Sequence, residues 1–341
     1  MVELNKPILV YRGDVVESTH EIHIAVVSAD GKLIAHYGNP YRQTFARSSM
    51  KPFQAIPVVE SGAMEQFQLT EQELAIFCAS HSGEPMHRET VHQVLAKIQL
   101  EEKDLQCGTH IPRDLDSYHE LIRKDKELTP IYSNCSGKHA GMLAGCLQQN
   151  FDIGTYRDVN HPYQQQIITA IGDVSQFKKE DIRTSVDGCG VPVHMLPLYN
   201  IALAYSRLAA PDQWETGNTV RKHALQKIRY AMVTYPEMVA GTKRFDTDLM
   251  KAFRGRIVAK GGAEGVHCFG DTEAGIGVAI KVEDGNARGT SVAAMEVIRQ
   301  LGIGDTVIWD QLKDYHIAPV LNAREEKIGY IQANFTLLFK D

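Results

Sequence analysis

Val- and Ile-rich stretches cover residues 8–12 and 20–37. In the second, Ile22, Ile24 and Val26 alternate with His23 and Ala25 ahead of the turn Asp30-Gly31, which predicts a β-hairpin. From about 48 to 254 the spacing becomes helical. Thr70-Glu-Gln-Glu73 opens one helix, because the Thr70 hydroxyl and the Glu73 carboxylate can each satisfy an orphan backbone donor. Leu69 is placed to staple onto Leu74. Further helices are predicted near 87–99, 137–149, 161–171, 193–209, 217–234 and 246–253. Strands return at 257–260, 266–269 and 276–282, followed by a helix over about 290–301 and a last strand near 328–339. No internal period suggests a repeat array.

The first and last strands can share a sheet only if the helical stretch is an insertion between them. The expected fold is therefore α/β: an antiparallel sheet with flanking helices built from both chain ends, 1–47 and 254–341, carrying a mainly helical domain over 48–253. The 341 residues, 43% of them hydrophobic, suffice for a sizeable core. A formal charge of −6 argues against a general nucleic-acid or anionic-membrane binder. No stretch approaches the roughly 18–20 apolar residues of a membrane span. Glu3 and the short apolar run from Pro7 to Tyr11 do not make a signal peptide, so the cytoplasm is the expected compartment. Six scattered cysteines are then expected as reduced thiols, as core residues, ligands or nucleophiles.

Three segments carry reactive side chains. In Arg47-Ser-Ser-Met-Lys51-Pro52, Ser48 and Lys51 are spaced to share one helix face, where an uncharged lysine can accept the serine proton. Pro52 lacks an N–H and belongs in a first helical turn, which puts Ser48 or Ser49 at the helix start, near free amides that favour an oxyanion. Pro57 predicts a kink. The same spacing in Ser175-Gln-Phe-Lys178 reads as a solvated helix start. Cys78-Ala-Ser80-His81-Ser82-Gly83-Glu84-Pro85 follows the capped helix, and Lys260-Gly261-Gly262 ends an apolar strand. Ser-x-x-Lys, a loop serine and Lys-Gly-Gly in this order resemble the serine β-lactamases and penicillin-binding proteins. Ser80-His81-Ser82 departs from their Ser-Asp-Asn.

Asn134-Cys135-Ser-Gly137-Lys138-His139 precedes a helix, and Asp187-Gly188-Cys189-Gly190-Val-Pro192 reads as a tight turn entering another. Two such cysteines suit a soft divalent metal such as zinc. Imidazole is a far commoner third ligand than an amine, which nominates His139, although a neutral Lys138 could also bind. The spacing leaves that choice open.

Together the five segments resemble the class 3, Rhizobium-type L-asparaginases, and the resemblance runs from the first hairpin to the last strand. It implies a β-lactamase-like fold related to the glutaminases, hydrolysis of the L-asparagine side-chain amide, and a homodimer. It also implies two Ser–Lys tandems, Ser48 with Lys51 and Ser80 with Lys260, and a zinc ion on Cys135, Lys138 and Cys189. Arg47, Asn134, His139 and Asp187 then become substrate-binding candidates. Expected donors to the oxyanion are the Ser48 N–H and an N–H at Gly261 or Gly262. The rival readings are a glutaminase or penicillin-recognising hydrolase on the same scaffold, and a non-catalytic zinc-stabilised binding protein.

Overall fold

The computed structural model describes residues 6–340. Its largest sheet has six antiparallel strands in the order Leu338–Phe339, Leu33–Tyr37, Ile22–Ser28, Ile276–Val282, Val266–Asp271 and Ile257–Gly262. Strands from both chain ends thus meet at its centre, with Ala25 opposite Ala279. The expected hairpin forms between Ile22–Ser28 and Leu33–Tyr37, with Gly31 at φ 93° in the turn. A second sheet, in the order Ala318–Leu321, Lys327–Ala333, Ile8–Arg12, Val15–His20, pairs Ile8 with Ala333, so the first strand and a C-terminal strand do share a sheet.

Every residue of Ile276–Val282 is buried, which requires cover on both faces. The helix Leu198–Ala209 lies so close that a Cβ on Gly277 would strike the carbonyl of Ala202 and the amide of Ser206. The helix Thr290–Gln300 also packs on this strand and touches Lys327–Ala333 of the second sheet. Among the described residues no helix is long and apolar enough to cross a membrane.

Between the strands lies the helical stretch. Its central helix, Ser136–Gln148, is buried continuously from Ser136 to Cys146, the small and apolar residues 140–146 on every side and the polar Lys138 and His139 at its start included. Gly137, Gly141 and Gly145 face Ile76, Phe77 and Tyr163, where side chains would not fit. The capping box at Thr70 and Glu73 is present. Pro57 sits in the first turn of Ile56–Glu60, which only Ala55, still right-handed helical in its backbone, separates from the preceding helix Lys51–Gln54, so the helix is interrupted where the kink is expected.

Three expectations are corrected. Residues 192–197 form a strand, and the helix starts only at Leu198. Pro192–Pro197 pairs with Gln43–Phe45 and with Arg183–Val186, making a third sheet that ties the end of the N-terminal segment to the helical stretch. Asp187–Gly190 is consequently a hairpin turn between strands and does not enter a helix; the Asp187 N–H bonds to the Val191 carbonyl at 2.9 Å. Ser175 closes the helix Pro162–Ser175 and is fully buried, because Gln176 turns the chain left-handed at φ 52°.

Candidate active site

The chain leaves the strand Gln43–Phe45 and turns at Arg47, which holds a left-handed φ of 51°. Few non-glycine residues adopt that conformation, and strain of this kind persists only where the surroundings enforce it. A 3-10 turn, Arg47–Met50, follows and runs into the helix Lys51–Gln54. The two serines diverge here. Ser49 is buried, donates to the Ala46 carbonyl at 2.7 Å, and its own carbonyl accepts from Tyr205. Ser48 lines a cavity of about 560 Å3. Of the two, Ser48 is therefore the one open to a ligand.

Lys51 lies behind that wall, only 1% exposed. Its ammonium nitrogen donates to Ser80 Oγ at 3.0 Å, to the Asn134 carbonyl at 3.3 Å and to the Ala79 carbonyl. Burial pushes its pKa below the ordinary lysine value, and the like charge of Lys138 acts in the same direction. Ser80 lines the same cavity and is fixed by a bond from its N–H to the Val239 carbonyl at 2.9 Å. Ser80 is thus hydrogen-bonded to Lys51, while Lys260, its expected partner, lines the same cavity. His81, which follows Ser80, is turned away and meets Ser136 Oγ through Nε2 at 2.9 Å.

Lys260, at the end of the strand Ile257–Gly262, reaches the cavity from the sheet side. It is 1% exposed, and burial lowers its pKa to about 7, against the pull of Asp246. Its amine donates to the Gly261 carbonyl at 2.7 Å and stands 3.9 Å from Asp246 Oδ2. Asp246 itself, at the start of the helix Phe245–Ala252, accepts from the Gly261 N–H at 2.8 Å and meets His267 Nε2 at 2.9 Å. Burial opposes the charge of this carboxyl, yet the bonds from His267 and Gly261 and the nearby Lys260 hold its pKa below the usual range. The Gly261 N–H is therefore engaged and is not a free oxyanion donor.

On another wall, the ligand atoms of Cys135, Asp187 and Cys189 lie within 4.8 Å of one another. Cys135 shares a hydrogen bond with Cys189, which lowers the Cys189 thiol to about 5 and raises that of Cys135 to about 12. The Lys138 amine donates to Cys189 Sγ at 3.0 Å. Two sulfurs, a carboxylate and a buried amine converge as a group that could hold a metal ion, and the two soft thiolates together with harder oxygen and nitrogen donors suit a borderline ion such as zinc. His139 is fully buried, meets the Tyr156 hydroxyl at 2.6 Å and is not among the cavity-lining residues. In the structure the Lys138 amine reaches this cluster, whereas the His139 ring is turned to Tyr156. Asp187 also binds Arg47, Nε to Oδ1 at 2.8 Å.

Arg47, Asn134 and Asp187 all line the cavity, as do Arg113, Lys243, Arg244, Asp246 and His267, which the sequence did not single out. For Asp246 and His267 no local spacing could have served, because their partners come together only when helix and sheet pack.

A family model described as L-asparaginase II matches residues 8–333. No curated protein is similar enough to match. Among solved structures, Mglu in its native form in 4.3 M NaCl is 10% identical with a TM-score of 0.47, covering 84% of this chain and 63% of that one. The chain thus spans less than two thirds of the length of Mglu. A β-lactamase from Mycobacterium bovis is 13% identical with a TM-score of 0.40, covering 86% of this chain and 95% of that one. A putative β-lactamase from Bacteroides dorei DSM 17855 is 12% identical with a TM-score of 0.41, covering 82% and 93%. At these scores the likeness carries no inference about fold or chemistry.

Proposed function

Since the chain belongs to the L-asparaginase II family, and membership implies hydrolysis of L-asparagine to L-aspartate and ammonia, we propose that this reaction runs through an ester on Ser48. The observation that carries the reading is the Lys51–Ser80 hydrogen bond at 3.0 Å, directly behind a cavity that Ser48, Ser80 and Lys260 line.

Uncharged Lys51 takes the proton of Ser48, whose oxygen attacks the amide carbon. The proton passes from Lys51 through Ser80 to the departing nitrogen, and ammonia leaves. Lys260 then draws a proton from water, the hydroxide attacks the aspartyl ester, and the proton held by Lys260 is handed to the Ser48 oxygen as the ester breaks, which returns both residues to their starting states. The Ser48 N–H, in the first turn of its helix, is the remaining donor proposed for the oxyanion. Arg47, Asn134 and Asp187 are proposed to bind the substrate's charged and polar groups. His139 is proposed to act through Tyr156, steadying the residues beside it.

Cys135, Lys138 and Cys189, with Asp187 beside them, would hold zinc. When bound, zinc supplies positive charge to the cavity wall, and Lys138 must be neutral to ligate it. We further propose a cytoplasmic homodimer, on the strength of the family resemblance, with the segments 1–47 and 254–341 and the helical domain 48–253 enclosing the site.

Replacing Ser48 by Ala tests the reading. Ammonia release from asparagine should vanish with the circular dichroism spectrum unchanged, and an electrophilic asparagine analogue should add its mass at Ser48 in the wild type only. Near-normal turnover by the variant discards the mechanism.

A further inference from the structure

Asp246 is a carboxylate buried at the cavity wall without an assigned task. Burying a charge is costly unless partners compensate it, and Asp246 has three. Gly261 donates its N–H to Oδ2 at 2.8 Å, His267 meets Oδ1 at 2.9 Å, and the Lys260 amine stands 3.9 Å from Oδ2. Because Gly261 directly follows Lys260, the first bond fixes the backbone from which that lysine projects. The separation from the amine is too long for a hydrogen bond but well within the range of strong attraction in a buried site.

The charges around Lys260 make this attraction consequential. Lys51 from its helix start, with Arg113 and Arg244 from the cavity rim, all disfavour a proton on Lys260. The thiol of Cys78, and that of Cys268 on the adjacent strand, are pushed up to about 12 by burial and stay neutral. The Tyr205 hydroxyl is given to the Ser49 carbonyl. Against Arg113, Arg244 and, whenever it carries a proton, Lys51 stands the Asp246 carboxylate, tethered by His267 on the neighbouring strand.

We propose that Asp246 is a positioning residue for Lys260, holding its amine at the cavity wall and stabilising the ammonium formed when Lys260 takes a proton from the hydrolytic water. The proposal rests on the Ser48 ester mechanism for its water step. In that step one O–H bond of water breaks, an N–H bond to Lys260 forms, and the oxygen's electron pair goes to the ester carbonyl. His267 keeps Asp246 aligned.

The test combines steady-state kinetics on asparagine with competitive acetylation of Lys260 by acetic anhydride across pH, read by mass spectrometry. Wild type, Asp246→Asn, His267→Phe and His267→Gln are compared. In Asp246→Asn the acetylation midpoint of Lys260 should fall by about one pH unit. The kcat should drop about tenfold or more, with KM within about threefold. His267→Phe should move the midpoint in the same direction, and it carries the test if Asp246→Asn fails to fold. His267→Gln keeps an N–H for Asp246 and should bring the midpoint back toward wild type. An unmoved midpoint in Asp246→Asn overturns the proposal, as does a raised KM with unchanged kcat, which would make Asp246 a substrate ligand. A midpoint that falls in Asp246→Asn, together with a wild type that releases no ammonia, supports the Asp246–Lys260 link and discards the asparagine mechanism.

Discussion

Arg47 Nε lies 2.8 Å from Asp187 Oδ1, so one ion pair joins the residue before Ser48 to the Cys135–Asp187–Cys189 group. The strained φ of Arg47 and the placement of two cavity walls therefore depend on the same contact. Arg47→Ala should lower kcat/KM about 10- to 100-fold and weaken metal retention about tenfold, read by steady-state kinetics and metal analysis after dialysis. Arg47→Gly relieves the left-handed backbone but also lacks the guanidinium. It should recover none of the activity if the ion pair is what matters.

Lys51 has three acceptors around one buried nitrogen. Lys51→Met should lose about 10²- to 10⁴-fold in kcat, because both the base and the link to Ser80 are gone. It should also lose about 1–3 kcal/mol of stability, since buried acceptors are left unpaired. Single-turnover kinetics and urea unfolding separate the two effects.

The proposed water step needs Lys260 uncharged. Its pKa of about 7 then sets the sign: below that value the amine is protonated and kcat falls, and above it kcat rises to a plateau. Burial also depresses Lys51, so its own protonation adds loss on the same acidic side. A pH profile that declines from acid toward pH 7 contradicts the assignment.

Purified protein should contain about one zinc per chain, and Cys189→Ala should bring the content near zero. Chelation should lower Tm, because an ion bound only by the folded chain stabilises it by mass action. Elemental analysis and a thermal scan with and without chelator check both statements.

A methyl group at position 277 has no room against the helix backbone at Ala202 and Ser206. Neither partner is a flexible side-chain tip that could swing away. Gly277→Ala should cost about 1–3 kcal/mol or more, measured by denaturant unfolding.

The legible part of this molecule was local. Thr70 and Glu73 announce a helix start within four residues, and the structure contains that cap. Ser48, Ser80 and Lys260 stand out by the proline, loop and glycine context around each, and they line one cavity. Residues 193–197 are expected as helix because Val193, Met195 and Leu196 lead straight into the apolar-rich Leu198–Ala209, and only pairing with Gln43–Phe45 and Arg183–Val186 decides their conformation. The Lys51–Ser80 bond joins positions 29 residues apart, and Asp246 gains its role from Gly261 and His267 after the helix docks. Such contacts follow from packing, which no short spacing encodes.

The pairing of Ile22–Ser28 with Ile276–Val282 also bears on how the polypeptide is made. An emerging chain holds its early hairpin without the central neighbour until some 250 more residues have left the ribosome. During that interval an apolar strand edge is open to wrong partners, so folding in the cell should depend on holdase chaperones during synthesis. Moving the termini by circular permutation, so that the two central strands are translated consecutively, should relieve that dependence.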